Sequence, residues 1–201
     1  MTKKVDYFAA PQSPWTYLGN QRFVALANKH GAQILLKPVD AAKVFAATGG
    51  VPVAQRPPAR QAYRLAELAR WSRHLGMPLN LHPKFFPVSG EPGGKLIIAA
   101  LHSAGTDQAL ALLGALGRAC WAEEKNIGDA ETLVALANSV GLDGAALLSL
   151  SGSDAVAADF ARNTEEAIAA EVFGVPWYRV DGEGYWGQDR LEFVERALEG
   201  S

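Results

Sequence analysis

The chain has 201 residues, 49% hydrophobic and 20% charged, and its 19 Lys and Arg against 21 Asp and Glu leave a net charge of −2. That balance excludes disordered and collagen-like structure and gives no electrostatic footprint for nucleic acid or an anionic membrane. No apolar run approaches the roughly 18 residues of a membrane span, and MTKKVDYF leaves no apolar region for a signal peptide. The one cysteine, Cys120, permits no intrachain disulfide, so the expectation is a soluble, reduced, cytoplasmic protein.

Val5 to Phe8 reads as a short strand, followed by a loop through Ala9-Ala10-Pro11-Gln12. Ser13-Pro14 is a helix start: Ser13 can cap, and Pro14 at the first helical position has no N–H to waste. Phe23, Leu26, Ala27 and His30 then recur at helical spacing up to Gly31, and Gln33 to Val39 reads as a buried strand. From Ala41 to about Glu171 the signals are helical. The expected helices are Ala59 to Leu75, Lys95 to Ser103, Thr106 to Ala122, Asp129 to Val140 and Ser153 to Val172. Thr106 and Ser153 are expected caps, Gly105, Gly141 and Gly174 are expected stops, and the Pro/Gly-rich stretch Pro83 to Gly94 is an expected loop. Pro176 to Val180 and Tyr185 to Trp186 flank Asp181-Gly182-Glu183-Gly184, a hairpin signal, and a last helix runs from about Arg190 to Leu198.

The order is βαβ, a helical block, then ββα. Neither β-bearing end can build a core alone, so both are expected in one sheet. The expected division is a discontinuous β-containing domain, 1–40 and 172–201, interrupted by an inserted helical domain, 41–171.

Three places could carry chemistry. Ser13 sits where free N–H groups and the positive end of a helix dipole favour an anion, or it merely caps the helix. Pro176, after Gly174-Val175, could be cis and expose the preceding carbonyl and N–H, or simply open a strand. Trp186-Gly187-Gln188-Asp189-Arg190 joins a strand to a helix; Asp189 could cap or could grip an ammonium. Lys43, Arg56, Arg60 and Arg64 could hold an acidic substrate, although a solvated charged face is the plainer reading, and Arg60 and Arg64 share a helix face. Other chemistries lack their residues. His30, His74, His82 and His102 form no H-E-x-x-H, and neither a G-x-S-x-G elbow nor a phosphate-binding glycine loop is present. Cys120, beside Trp121, reads as a buried hydrophobe. Trp15, Trp71, Trp121, Trp177 and Trp186 read as core, with Trp15 and Trp186 flanking the sites above.

Ser13-Pro14-Trp15-Thr16-Tyr17-Leu18, Gly174-Val175-Pro176 and Trp186-Gly187-Gln188-Asp189-Arg190-Leu191 occur in that order. With Tyr63-Arg64-Leu65, Ala69-Arg70-Trp71 and Gly76-Met77-Pro78 between them, the chain resembles the 2-hydroxychromene-2-carboxylate isomerases over essentially its full length. That family belongs to the glutathione transferase kappa and DsbA-like branch of the thioredoxin superfamily. The resemblance implies an α/β, thioredoxin-like fold with a large all-helical insertion, glutathione as cofactor, an aromatic carboxylate substrate and a homodimer. Redox relatives carry C-x-x-C where this chain has Ser13-Pro14-Trp15-Thr16, so the thiol would arrive on glutathione. It further implies that Ser13 binds and activates the glutathione sulfur. Val175, before Pro176, would pair with the cysteinyl unit, and Trp186, Gly187, Gln188 and Asp189 would hold the γ-glutamyl end. Lys43, Gln55, Arg56 and Phe85 would face the substrate. The implied reaction is thiolate addition, ring opening, bond rotation and elimination. A kappa-type transferase and a non-catalytic glutathione or small-acid binding protein are the alternatives.

The chain departs from the family pattern in three places. The loop Phe8-Ala9-Ala10-Pro11-Gln12 lacks an Asp after the strand aromatic and is one residue longer. Gln188 stands where Asn or Asp is usual. Phe85, in place of a tyrosine, cannot donate a hydrogen bond.

Overall fold

The computed structural model describes residues 2–200. Over these the chain runs β1 (Lys4–Ala9), α1 (Pro14–Lys29), β2 (Gln33–Pro38), α2 (Ala41–Thr48), α3 (Pro58–Leu75), α4 (Glu91–Ala104) and α5 (Thr106–Trp121). It continues through α6 (Ala130–Ser139), α7 (Gly144–Ser151), α8 (Asp154–Ala169), β3 (Trp177–Val180), β4 (Glu183–Trp186) and α9 (Leu191–Glu199). Two 3₁₀ turns lie at Val53–Gln55 and Gln188–Arg190. The termini Met1 and Ser201, which bound the expected domains, lie outside the described residues.

The sheet order is β2-β1-β3-β4. β1 and β2 are parallel, and β3 runs antiparallel to both β1 and β4. Both ends of the chain therefore meet in one sheet. Asp181 and Gly182 turn the β3–β4 hairpin with φ of 50° and 90°, the left-handed pair that an Asp-Gly turn supplies.

Strand alternation decides what each face buries. Val5, Tyr7 and Ala9 of β1 point with Ile34, Leu36, Tyr178 and Val180 into the larger core, shared with Phe23 and Ala27 of α1 and Leu191 and Val194 of α9. Tyr7, Phe23 and Tyr178 pack ring on ring there, with centroids 4.7, 5.2 and 4.5 Å apart. Phe8 and Trp177 point the other way, onto Val44 of α2 and Ala167 of α8. On that side Asp6 accepts from Arg179 Nε and Nη2 at 2.8 and 2.7 Å and pairs with Lys37 at 3.2 Å. Among the described residues no helix is long and apolar enough to cross a membrane.

Several boundaries differ from the sequence expectation. α4 begins at Glu91, inside the expected loop, because its glycines serve packing rather than flexibility. A Cβ on Gly94 would stand 2.7 Å from the Phe160 ring, and one on Gly93 would stand 3.1 Å from Pro11. α5 is capped by Gly105 and not by Thr106, which is already helical and makes no side-chain cap bond. α7 has no separate counterpart in the sequence reading; Asp143 starts it by accepting from Ala146 N–H at 3.0 Å. Ser153 caps α8 as expected, accepting from Val156 N–H at 3.4 Å.

Candidate active site

β1 ends at Ala9, and a short loop delivers Ser13 to the start of α1. Its N–H donates to Ala10 O at 3.0 Å, and its extended backbone, φ −77° and ψ 124°, makes it the N-cap. Ser13 Oγ accepts from Thr16 N–H at 3.2 Å. The hydroxyl proton stays free for another partner, and it is donated to Val175 O at 3.2 Å. Capping therefore leaves the hydroxyl proton available, because acceptance and donation engage different parts of the hydroxyl.

The Val175–Pro176 peptide bond is cis. Gly187 N–H donates to Pro176 O at 2.9 Å, which pins the end of β4 beside it. Ser13, Val175-Pro176 and the 186–189 run therefore converge from distant parts of the chain. Within that run the side chains divide. Gln188 is 1% exposed and turned inward: its Oε1 and its backbone oxygen accept from Arg22 Nη1 at 2.6 and 3.2 Å. It packs on Gly19, where a Cβ would stand 2.7 Å from Gln188 Cβ. Asp189 stays at the surface, pairs with Arg190 at 3.4 Å and folds back over Gly187. Asp189 caps nothing; Arg190 is the N-cap of α9, since a 3₁₀ turn intervenes. Trp186 is 51% exposed, against the core expectation. It lies across Gly174, with its ring centroid 4.8 Å from that of Phe173.

The residues expected on the substrate side are spread more widely. Lys43 is exposed, lies 3.9 Å from Asp40 and also stabilises the Glu91 carboxylate, so its charge is compensated. Gln55 is exposed on the first 3₁₀ turn. Arg56 Nε donates to Val51 O at 2.7 Å, and burial together with Arg60 lowers its pKa. Phe85 is half-buried, with Lys84 Nζ 5.1 Å from its ring centroid.

Arg64, in the sequence a candidate to hold an acidic substrate for which a solvated face is the plainer reading, is not on a solvated face. It is half-buried, with its guanidinium 5.4 Å from the Phe86 centroid and 5.6 Å from that of Trp121. Burial, and then the like charge of Arg56, pushes its pKa down to about 10. The available signal was helical spacing: Arg64, Leu68 and Trp71 fall at i, i+4 and i+7, and Leu68 is fully buried. Trp121 connects this region to Ser13, because its Nε1–H donates to Gln12 O at 3.1 Å.

Two further groups limit the chemistry. Thr16 Oγ1, one turn into α1, is buried without a hydrogen-bond partner among the described residues. Cys120 is 1% exposed, and burial pushes its thiol up to about 12. A thiol held that high is neutral and shielded at pH 7, so the chain supplies no thiolate of its own. Native protein is expected to leave Ellman's reagent unreacted, with one thiol per chain released in denaturant. Rapid labelling of the folded state would show an open Cys120.

Residues 4–199 match the DSBA-like thioredoxin domain family. The 2-hydroxychromene-2-carboxylate isomerase of Sphingobium xenophagum is 31% identical over 199 residues, covering 98% of this chain and 99% of that one. The structure of a 2-hydroxychromene-2-carboxylate isomerase superposes with a TM-score of 0.79 at 28% identity, covering 98% of this chain and 95% of the other. The cytosolic disulfide reductase DsbM from Pseudomonas aeruginosa, solved with GSH, shares the fold with a TM-score of 0.68 at 18% identity over 98% and 94% of the two chains. The near-complete coverage includes the long helical stretch between β2 and β3 as well as the sheet, and on that basis the chain belongs to the 2-hydroxychromene-2-carboxylate isomerase family of DSBA-like thioredoxin proteins.

Proposed function

We propose that this chain is a glutathione-dependent isomerase interconverting 2-hydroxychromene-2-carboxylate and trans-o-hydroxybenzylidenepyruvate, a step of naphthalene-type aromatic breakdown. The observation that carries this reading is the Ser13 hydroxyl, 3.2 Å from Val175 O at the start of α1, in a chain whose only cysteine is buried. The donor set fits glutathione. A hydroxyl at a helix N-terminus suits a thiolate, the Val175 backbone suits an extended peptide unit, and the exposed Asp189 carboxylate suits an ammonium.

The chemistry glutathione supplies when bound is a thiolate that adds to a conjugated carbon and leaves after bond rotation. Ser13 turns its proton from Val175 O to the sulfur, while Thr16 N–H keeps hold of Oγ and fixes its direction. Val175 O, once released, is free to accept from a peptide N–H. Trp186 and Gly187 form the wall beside Asp189, and buried Gln188 holds that wall to α1 through Arg22. By the family resemblance, Arg56, Phe85, Lys43 and Gln55 would face the substrate.

The test is to follow absorbance after mixing the protein with 2-hydroxychromene-2-carboxylate, with and without glutathione. Conversion should require glutathione and leave its concentration unchanged. A stable sulfur adduct would make the protein a kappa-type transferase, and no conversion in either condition would leave a binding protein.

A further inference from the structure

Among the described residues only aromatic rings face the charge of Arg64. Among the described residues it has neither a carboxylate partner nor a hydrogen-bond acceptor, although the chain pairs most of its other buried or half-buried cations. Arg179 and Lys37 share Asp6, and Glu67, one turn from Arg64, is taken by Arg70. The charge that acts on Arg64 is that of Arg56, another cation, which in turn feels exposed Arg60. An uncompensated buried charge is costly unless an anion completes it.

The Arg64 guanidinium lies over the Phe86 and Trp121 rings. No N–H of that group is used within the described residues, and a carboxylate is the acceptor that matches a guanidinium fork. Of the two rings Phe86 is only partly buried and is the one a flat ligand beside Arg64 would meet, while Trp121, fully buried, packs behind it at 4.7 Å. Trp121 is bonded to Gln12 O, so Phe86 is backed by a residue tied to the loop before Ser13.

We infer that Arg64, set over Phe86 and Trp121 and without an acidic partner among the described residues, is the specificity-determining residue that receives the carboxylate of a planar aromatic acid. The inference rests on the proposed reading of the protein as acting on an aromatic carboxylate. It assigns the main grip to a residue that the family resemblance does not single out, and leaves Lys43 a peripheral role.

Calorimetric titration with trans-cinnamate and with methyl cinnamate, a matched pair that does not react, tests it without turnover. Wild type should bind the acid about tenfold or more tightly than the ester, the range for a hydrogen bond to a charged group. Arg64→Met should erase that preference, and Arg64→Lys should restore part of it. Equal binding of acid and ester by wild type, or a preference that survives in a folded Arg64→Met protein, would overturn the inference. Absorbance titration of the glutathione thiol on the same proteins separates the two readings. A lowered thiol pKa in both wild type and Arg64→Met, with acid preference lost only in the variant, supports both. An unshifted thiol in wild type strikes the glutathione reading, whatever the cinnamate pair shows.

Discussion

Replacing Ser13 by alanine is expected to raise the pKa of bound glutathione by about one to two units and to cut turnover at pH 7 about three- to twenty-five-fold. A free thiol of pKa about 8.5 is only about 3% ionised at pH 7, and a drop of about two units ionises roughly three quarters of it. That drop needs about 2.7 kcal/mol of preference for the thiolate. A helix terminus supplies up to about 2 kcal/mol, and a hydroxyl hydrogen bond to a charged acceptor about 1.5–3 kcal/mol. Removing the hydroxyl leaves the helix term in place, so ionisation falls without vanishing. The sign fixes the pH profile. Because the variant's thiol pKa is higher, its deficit is largest at low pH and closes once pH exceeds that value. A deficit of constant size at every pH would show that Ser13 positions the sulfur and does not ionise it.

The same substitution removes a cap, worth about 1 kcal/mol, so lost activity and lost stability must be separated. Ser13→Gly does this: glycine caps nearly as well, at a cost of a few tenths of a kcal/mol, but offers no hydroxyl. It should keep the wild-type denaturant midpoint to within that margin and still show the raised thiol pKa.

What could be read from the sequence was what local chemistry dictates. Ser13-Pro14 specifies a helix start, and Asp181-Gly182 specifies a turn that needs two left-handed residues. What escaped was decided by neighbours distant in sequence. Gly90, Gly93 and Gly94 read as a loop, since three glycines in five residues oppose a helix locally. In the fold they admit Gln12, Pro11 and Phe160 at distances a side chain would forbid. The resemblance implies that Gln188 holds a ligand, yet its side chain is buried, because Arg22 satisfies its amide oxygen and Gly19 makes room for it. Arg64 reads from its charge more plainly as a solvated face than as a substrate cation, yet its i, i+4 spacing with buried Leu68 sets it toward the core. Polarity is a weaker guide than periodicity where a site needs a cation half in the core.

Trp121 shows how far the site depends on that distant packing. Its side chain is fully buried, its ring packs 4.7 Å from Phe86, and its Nε1–H holds Gln12 O. Trp121→Ala is expected to cost about 3–5 kcal/mol of stability, the range for deleting a large buried aromatic. Trp121→Phe is the more informative change, because it keeps much of the volume and the face beneath Arg64 but removes the N–H. Gln12 Oε1 is already buried without a partner among the described residues, and a Cβ on Gly90, just before α4, would collide with it. Leaving Gln12 O unsatisfied as well should cost about 1–3 kcal/mol. A shift of the denaturant midpoint at constant m-value would measure that cost. Because Gln12 precedes Ser13, the loosened loop should also weaken the thiol pKa shift, whereas cinnamate selectivity, which needs only the ring, should persist. An unchanged midpoint would mean that the N–H of Trp121 adds no net stability, and that α1 is held in place by its cap and core contacts alone.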